Sequence, residues 1–248
     1  MKQRNRTTQG NPHQLSCNQH IVSAAHIRRF ANEKGLVSVL QTGSKKVFPA
    51  KSDNKVFCTW RSWDHVTEQQ FFTKHETTFQ QQVDRALKEQ SIDHEIISSY
   101  SCIWRIRLRF SQEDNHEIPI NGVVPDKLTR AAEEILEKKG VGFTRDKAIP
   151  SRIFNKGRTI LNFDQCMASS KVVKWGVLKA PKGHRFICSD AIVECGVLPA
   201  TPSLLFVANE ISRNVDSGYI RCLNSRICKH AQRFIFCHPD DQEILLGH

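Results

Sequence analysis

The sequence predicts an α+β fold, with a mostly helical middle and a small mixed or antiparallel sheet built from N-terminal and C-terminal strands. Three observations predict it. Short apolar, β-branched runs lie near both ends of the chain, at Leu36-Val37-Ser38-Val39-Leu40 and at Phe234-Ile235-Phe236-Cys237. The long segments between them space their apolar residues at helical intervals. Strand-like and helical segments are grouped rather than alternating, which argues against a parallel βαβ plan.

Residues 1–16 are rich in Gln, Asn, Thr and Arg and hold little to bury, so they predict a flexible basic arm. Residues 17–248 are then expected to form one domain. Ser23 to Asn32 predicts a short helix, with Ile27 and Phe30 on one face and Gly35 closing it. The strand Leu36 to Leu40 follows. Gly43 to Lys46 turns the chain into Val47-Phe48, and Pro49 confines that second strand to an edge or an early stop. Val56 to Trp60 is a third candidate strand.

Thr67 to Gln90 is the clearest helix, with Phe71, Phe79, Val83 and Leu87 in a loose helical period and Asp64 or Thr67 as its cap. Ser91 to Phe110 reads both ways. Ile103, Ile106 and Phe110 suit a helix, whereas the alternation of Trp104, Ile106, Leu108 and Phe110 with Arg105, Arg107 and Arg109 suits a strand. Ser111 to Val124 is a loop. Pro125 stands at the first turn of an amphipathic helix over Asp126 to Lys139, ended by Gly140. Pro150 opens a helix over Ser151 to Ser169. Val172 to Leu178, Phe186 to Cys188 and Ser203 to Ala208 are short strands, Tyr219 to Arg233 is helical, and Phe234 to Cys237 is a last strand.

The chain has 248 residues, 39% of them hydrophobic and 25% charged, which is ordinary for a folded protein with a real core. No apolar run approaches the ~18 residues that cross a bilayer. The basic start, Lys2, Arg4 and Arg6, has no apolar segment behind it, so no secretory signal and a cytoplasmic location are expected. Nine scattered cysteines then read as reduced thiols in or near the core. Cys222, Cys228, His230 and His238 invite a zinc reading, but their spacing fits no common finger, and ordinary packing is the simpler account.

Nucleotide, esterase and metalloprotease signatures are absent: there is no Gly-x-Gly-x-x-Gly, no phosphate-loop lysine, no Gly-x-Ser-x-Gly and no His-Glu-x-x-His. What remains is a set of dispersed polar residues. Glu68 and Glu76 are eight apart on the long helix and project from roughly one side. Asp64 and His75 share that side approximately. Such a face suits acid–base chemistry or an oxygen-liganded divalent cation, or else it is a solvated surface pairing with Lys74. His20 precedes a short helix and Asp190 ends a strand-like run; either residue suits a cleft or a cap. Asn224, Arg226, Lys229 and Arg233 punctuate the C-terminal helix, and the three basic residues step by three and four, a spacing that suits phosphate contacts or else a polar outer face. The net charge of +11 favours an acidic partner such as nucleic acid, and it is spread too widely to read as one run.

Taken together, His20 to Ala31, Glu68, Glu76, Phe186-Ile187-Cys188-Ser189-Asp190 with Leu198-Pro199, and Asn224 with Arg233-Phe234-Ile235 resemble the bacterial domain-of-unknown-function family 4238. The likeness spans about residues 18–238. Ser23 and His26 replace that family's usual proline and tyrosine, and Ala191-Ile192 replaces its asparagine-proline. The resemblance favours a helix over Ser91 to Phe110 and implies no particular reaction. It makes His20, Glu68, Glu76 and Asp190 the candidate catalytic residues and Asn224, Arg233 and Arg28 the candidate substrate contacts. The expected activity is nuclease-like hydrolysis of nucleic acid or another phosphate-bearing substrate, with a divalent cation as a conceivable cofactor and no metal ligand set assigned. The alternatives are a non-enzymatic nucleic-acid-binding module and a protein-interaction factor in phage or bacterial conflict.

Overall fold

The computed structural model describes residues 5–114, 116–122, 128–193 and 196–246. The N-terminal part holds β1 (Asn18–His20), α1 (Ala24–Arg28), β2 (Leu36–Gln41), β3 (Lys46–Lys51) and β4 (Cys58–Trp60). A π-helical stretch, Thr67–Phe72, runs straight into α2 (Thr73–Leu87), and α3 (His94–Gln112) follows. The middle ends with β5 (Ile118–Pro119), α4 (Arg130–Lys138), β6 (Ala148–Ile149) and α5 (Ser151–Ser170). The C-terminal third holds β7 (Trp175–Lys179), β8 (Cys188–Ser189), β9 (Val197–Thr201), β10 (Leu204–Ala208), β11 (Arg213–Asn214), α6 (Ser217–His230), β12 (Phe234–Cys237) and α7 (Gln242–Leu246).

The α+β plan holds, and one sheet does join the two ends of the chain. Its order is β3-β2-β12-β8, antiparallel throughout, with Phe236 opposite Val39 and Cys188. Pro49 lies in β3, at the edge of this sheet, where a missing N–H costs no ladder bond. A second four-stranded sheet, β11-β7-β10-β9, is built wholly from the C-terminal third and is mixed, since β11 runs parallel to β7. The sequence left β9 unread because Pro199 interrupts it. An edge position again accommodates the proline.

The helical reading of Ser91 to Phe110 is correct. Asp93 caps α3 by accepting the N–H groups of Glu95 and Ile96. α3 packs between α2 and α5, so residues all round its inner half are buried and the apparent alternation carried no strand signal. Asp64 caps the preceding helical run by accepting the N–H of Thr67 at 3.0 Å.

The core is aromatic. His26, fully buried, stacks among Phe30, Phe79 and Tyr100 with the Trp104 ring edge-on. Its Nε2 donates to the carbonyl of Pro199 at 2.7 Å and its Nδ1 accepts from the Tyr100 hydroxyl at 3.1 Å, so α1, α3 and β9 meet on one imidazole. A second apolar cluster, with Leu223 and Ile227 of α6 against Leu40, Leu205 and Ile235, seats α6 on the sheets.

Three expectations are corrected. Residues 5–16 are not a free arm. Leu15 is buried, the Asn5 carbonyl accepts from Arg61 at 3.1 Å, its side-chain oxygen accepts from Arg152 at 2.8 Å, and the Thr8 N–H donates to Glu134. Polar residues docked on buried ions look like unfolded chain in a composition count. The amphipathic helix α4 is turned inside out: Glu133, Glu134 and Glu137 face inward while Ile135 is exposed. Arg61 and Arg152 both bind Glu137, and Arg145 binds Glu133. Pro125 and Asp126 lie outside the described residues. Finally, the cysteines are not all free thiols, because Cys102 of α3 and Cys166 of α5 form a disulfide. Their separation of 64 residues gives no local signal, and only the packing of α3 on α5 brings them together.

Candidate functional site

The residue that organises the candidate site is Arg107. On α3 it follows Tyr100, Ile103 and Trp104 at helical spacing, so its side chain enters the core and is 1% exposed. Its guanidinium reaches Glu76 through Nη1 and Glu68 through Nη2, the latter at 3.3 Å. It lies over the Phe72 ring at 4.5 Å and near Trp63 at 5.9 Å. The Trp63 indole N–H donates to the same Glu68 oxygen at 2.7 Å. Arg107 thus holds both helix glutamates as a buried ion triad, with only its Nε lacking a partner.

The candidate residues divide into four groups. His20, Glu68 and Glu76 do stand together. Burial pushes the Glu76 carboxyl up against the pull of Arg107, and His20 lies close enough to act on it as well. The His20 Nε2 donates to the Ser52 carbonyl at 2.9 Å. Arg233 is adjacent, donating to the Cys58 carbonyl at 3.0 Å, and Cys58 feels the charges of Glu68, Arg233 and Arg107. Asp190 is buried behind Arg233. Its two oxygens accept the backbone N–H groups of Gln232 and Arg233 at 2.9 and 2.8 Å, and burial pushes its carboxyl up to about 6. Asp190 therefore caps the start of β12 and does not face a cleft. Asn224 is a tie: it accepts from the N–H of Ile187 at 3.2 Å and donates to the carbonyl of Arg185 at 3.0 Å, in the buried interior. Arg28 is exposed on the last turn of α1.

These positions limit the chemistry. Both glutamates are engaged by Arg107. No group of three or more His, Cys, Asp or Glu residues suited to a metal ion occurs among the described residues, the Cys222 to His238 cluster included. His75 shares its helix with the glutamates but turns its Nδ1 to the Ser99 hydroxyl at 3.2 Å and its ring to Phe163. Arg107 itself was missed by sequence reasoning. Its signal was available: of the three alternating arginines, only Arg107 keeps the inward spacing set by Tyr100, Ile103 and Trp104.

A second feature lies on the surface. α6 carries Arg221, Arg226, Lys229 and His230 and not one Asp or Glu. Arg221 and Lys229 are exposed, two turns apart on one face. The β2–β3 turn, with Lys45 and Lys46 exposed, adjoins the end of α6. There the Thr42 N–H donates to the Arg233 carbonyl at 3.0 Å, the Thr42 hydroxyl donates to the Gln232 carbonyl at 2.8 Å, and Lys45 bears on Cys228. Part of the positive charge is thereby gathered from two distant segments.

Compared with known proteins, the chain matches no family model, no curated protein and no solved structure. Among the described residues no helix is long and apolar enough to cross a membrane.

Proposed function

We propose that the protein is a nucleic-acid-binding module whose contact surface is α6 together with the β2–β3 turn. The observation that carries the proposal is that neither element holds an Asp or Glu of its own, Asp216 at the cap of α6 being the acid beside them, while both present exposed cations. The buried polar set supports the same reading, because Arg107, Asp190 and Asn224 satisfy hydrogen bonds that hold α2, α3, α6 and β12 in place. Phosphate contacts displace condensed counterions, so binding weakens steeply with salt. Titrating a short duplex and a single strand across salt concentrations tests this. In the variant carrying Arg221→Glu and Lys229→Glu, affinity falls and the log–log salt slope on duplex shrinks by about 2, as expected for two lost phosphate contacts. Absence of binding at low salt, or equal binding by the variant, overturns the proposal.

A second reading, hydrolysis of a phosphate-bearing substrate, is favoured by one observation. Glu68 and Glu76 keep 14% and 19% of their side chains exposed beside His20. These are also three of the polar positions on which the resemblance to family 4238 rests. Cleavage of the bound nucleic acid that disappears in His20→Ala supports this reading; binding without turnover removes it.

A further inference from the structure

One cavity has no part in either reading. It measures about 880 Å³ and lies between the first turn of α3 and the last turn of α5. That volume falls within the roughly 300–1,000 Å³ of small-molecule sites. Ile92, Met167 and Val173 give it apolar wall, and Arg85, Lys171 and Lys174 give it cations. Two carboxylates also line it, Asp93, which accepts the N–H groups of Glu95 and Ile96 at the cap of α3, and Glu95, exposed on the first turn, so the cations outnumber the acids by one. Arg85 is steadied by the Ser91 carbonyl and hydroxyl. Lys171 and Lys174 are both exposed, and neither forms an ion pair among the described residues.

The walls are fixed before any ligand arrives. Cys102 lies one turn beyond Ser98 on α3, and Cys166 one turn before Ser170 on α5, so the disulfide ties the two lining helices close to the cavity. Trp175 adds a second tie. Its backbone N–H donates to His94 Nδ1 at 3.0 Å and its indole N–H to the Ser98 hydroxyl at 2.9 Å. Preorganised walls lower the cost of ordering a site on binding.

We infer that this cavity is a binding site for a small organic anion, with the apolar wall taking the body of the molecule and Lys171 and Lys174 taking its carboxylate or phosphate. The probe for the test is anilinonaphthalene sulfonate, an aromatic anion whose fluorescence reports transfer to an apolar environment. The oxidised full-length protein is titrated alongside two variants. One carries Lys171→Glu and Lys174→Glu, both at exposed positions. The other, Ser170→Trp, fills the mouth. Wild type binds one equivalent saturably. The charge-reversed variant binds about tenfold more weakly or less well, a loss of about 1.4 kcal/mol, and the filled variant loses binding. Two results overturn the inference: no saturable binding by wild type, or wild-type affinity in both variants while their thermal midpoints remain unchanged.

Discussion

At the residue scale, two buried groups set opposite responses to acid. Burial depresses His26 from 6.5 to about 3, so the unfolded chain binds its proton more readily than the folded one. Its contribution is complete above 6.5 and is lost as pH falls toward 3. Burial raises Asp190 from 3.8 to about 6, so here the folded chain holds the proton more readily, and stability declines as pH rises through that interval. Each group alone gives a slope of about 1.4 kcal/mol per pH unit in its window. Between about 4 and 6 the two slopes oppose and nearly cancel. Asp190→Asn therefore leaves the rising slope of His26 exposed, and His26→Gln leaves the falling slope of Asp190. Urea midpoints measured across that pH range should diverge in opposite directions, and parallel curves for both variants would contradict the assignment. Arg107 gives a second expectation. Arg107→Met strands two glutamates and costs about 3–5 kcal/mol. Arg107→Lys restores less than half, since a point charge cannot bridge both carboxylates as the planar guanidinium does. Equilibrium unfolding checks both values. None of these roles was visible in residue identity alone. His20, Glu68 and Glu76 were legible as a set because two lie on one helix face, whereas Asp190 and Asn224 looked like site residues only because buried capping groups and catalytic groups are drawn from the same residue types.

At the element scale, local patterns located segments better than they located faces. α2, α5, β2, β10 and β12 lie close to their predicted bounds because turn residues and apolar periods mark them. α4 shows the limit. Its apolar and charged residues have helical spacing, but which face turns inward was decided by Arg61, Arg145 and Arg152 from elsewhere in the chain. The disulfide between α3 and α5 belongs to the same scale. Replacing Cys102 and Cys166 with serine frees a long loop in the unfolded state and should cost about 2–4 kcal/mol. A thermal midpoint that is the same in the serine variant and the parent would show that α3 and α5 hold together without it.

At the scale of the whole molecule, the two ends of the chain are interdependent. β12 lies between β2 and β8, and Arg233 reaches back to Cys58. A chain cut after Gln232 loses an inner strand of that sheet, the Arg233 partner of Asp190, and Ile235, Cys237 and Leu245 of the second apolar cluster at once. It should lack a cooperative unfolding transition altogether, which circular dichroism would show directly. The sequence offered strands at both ends but no register, because pairing across nearly two hundred residues is written in neither strand alone.

The position of β12 also bears on how the protein is made. A ribosome delivers the hairpin of β2 and β3 long before the strand that completes their sheet. Until β12 emerges, β2 presents a bare apolar edge that any other extended chain can occupy. The growing polypeptide therefore spends that whole interval with its keystone missing, and chaperone demand should fall between the emergence of β2 and that of β12.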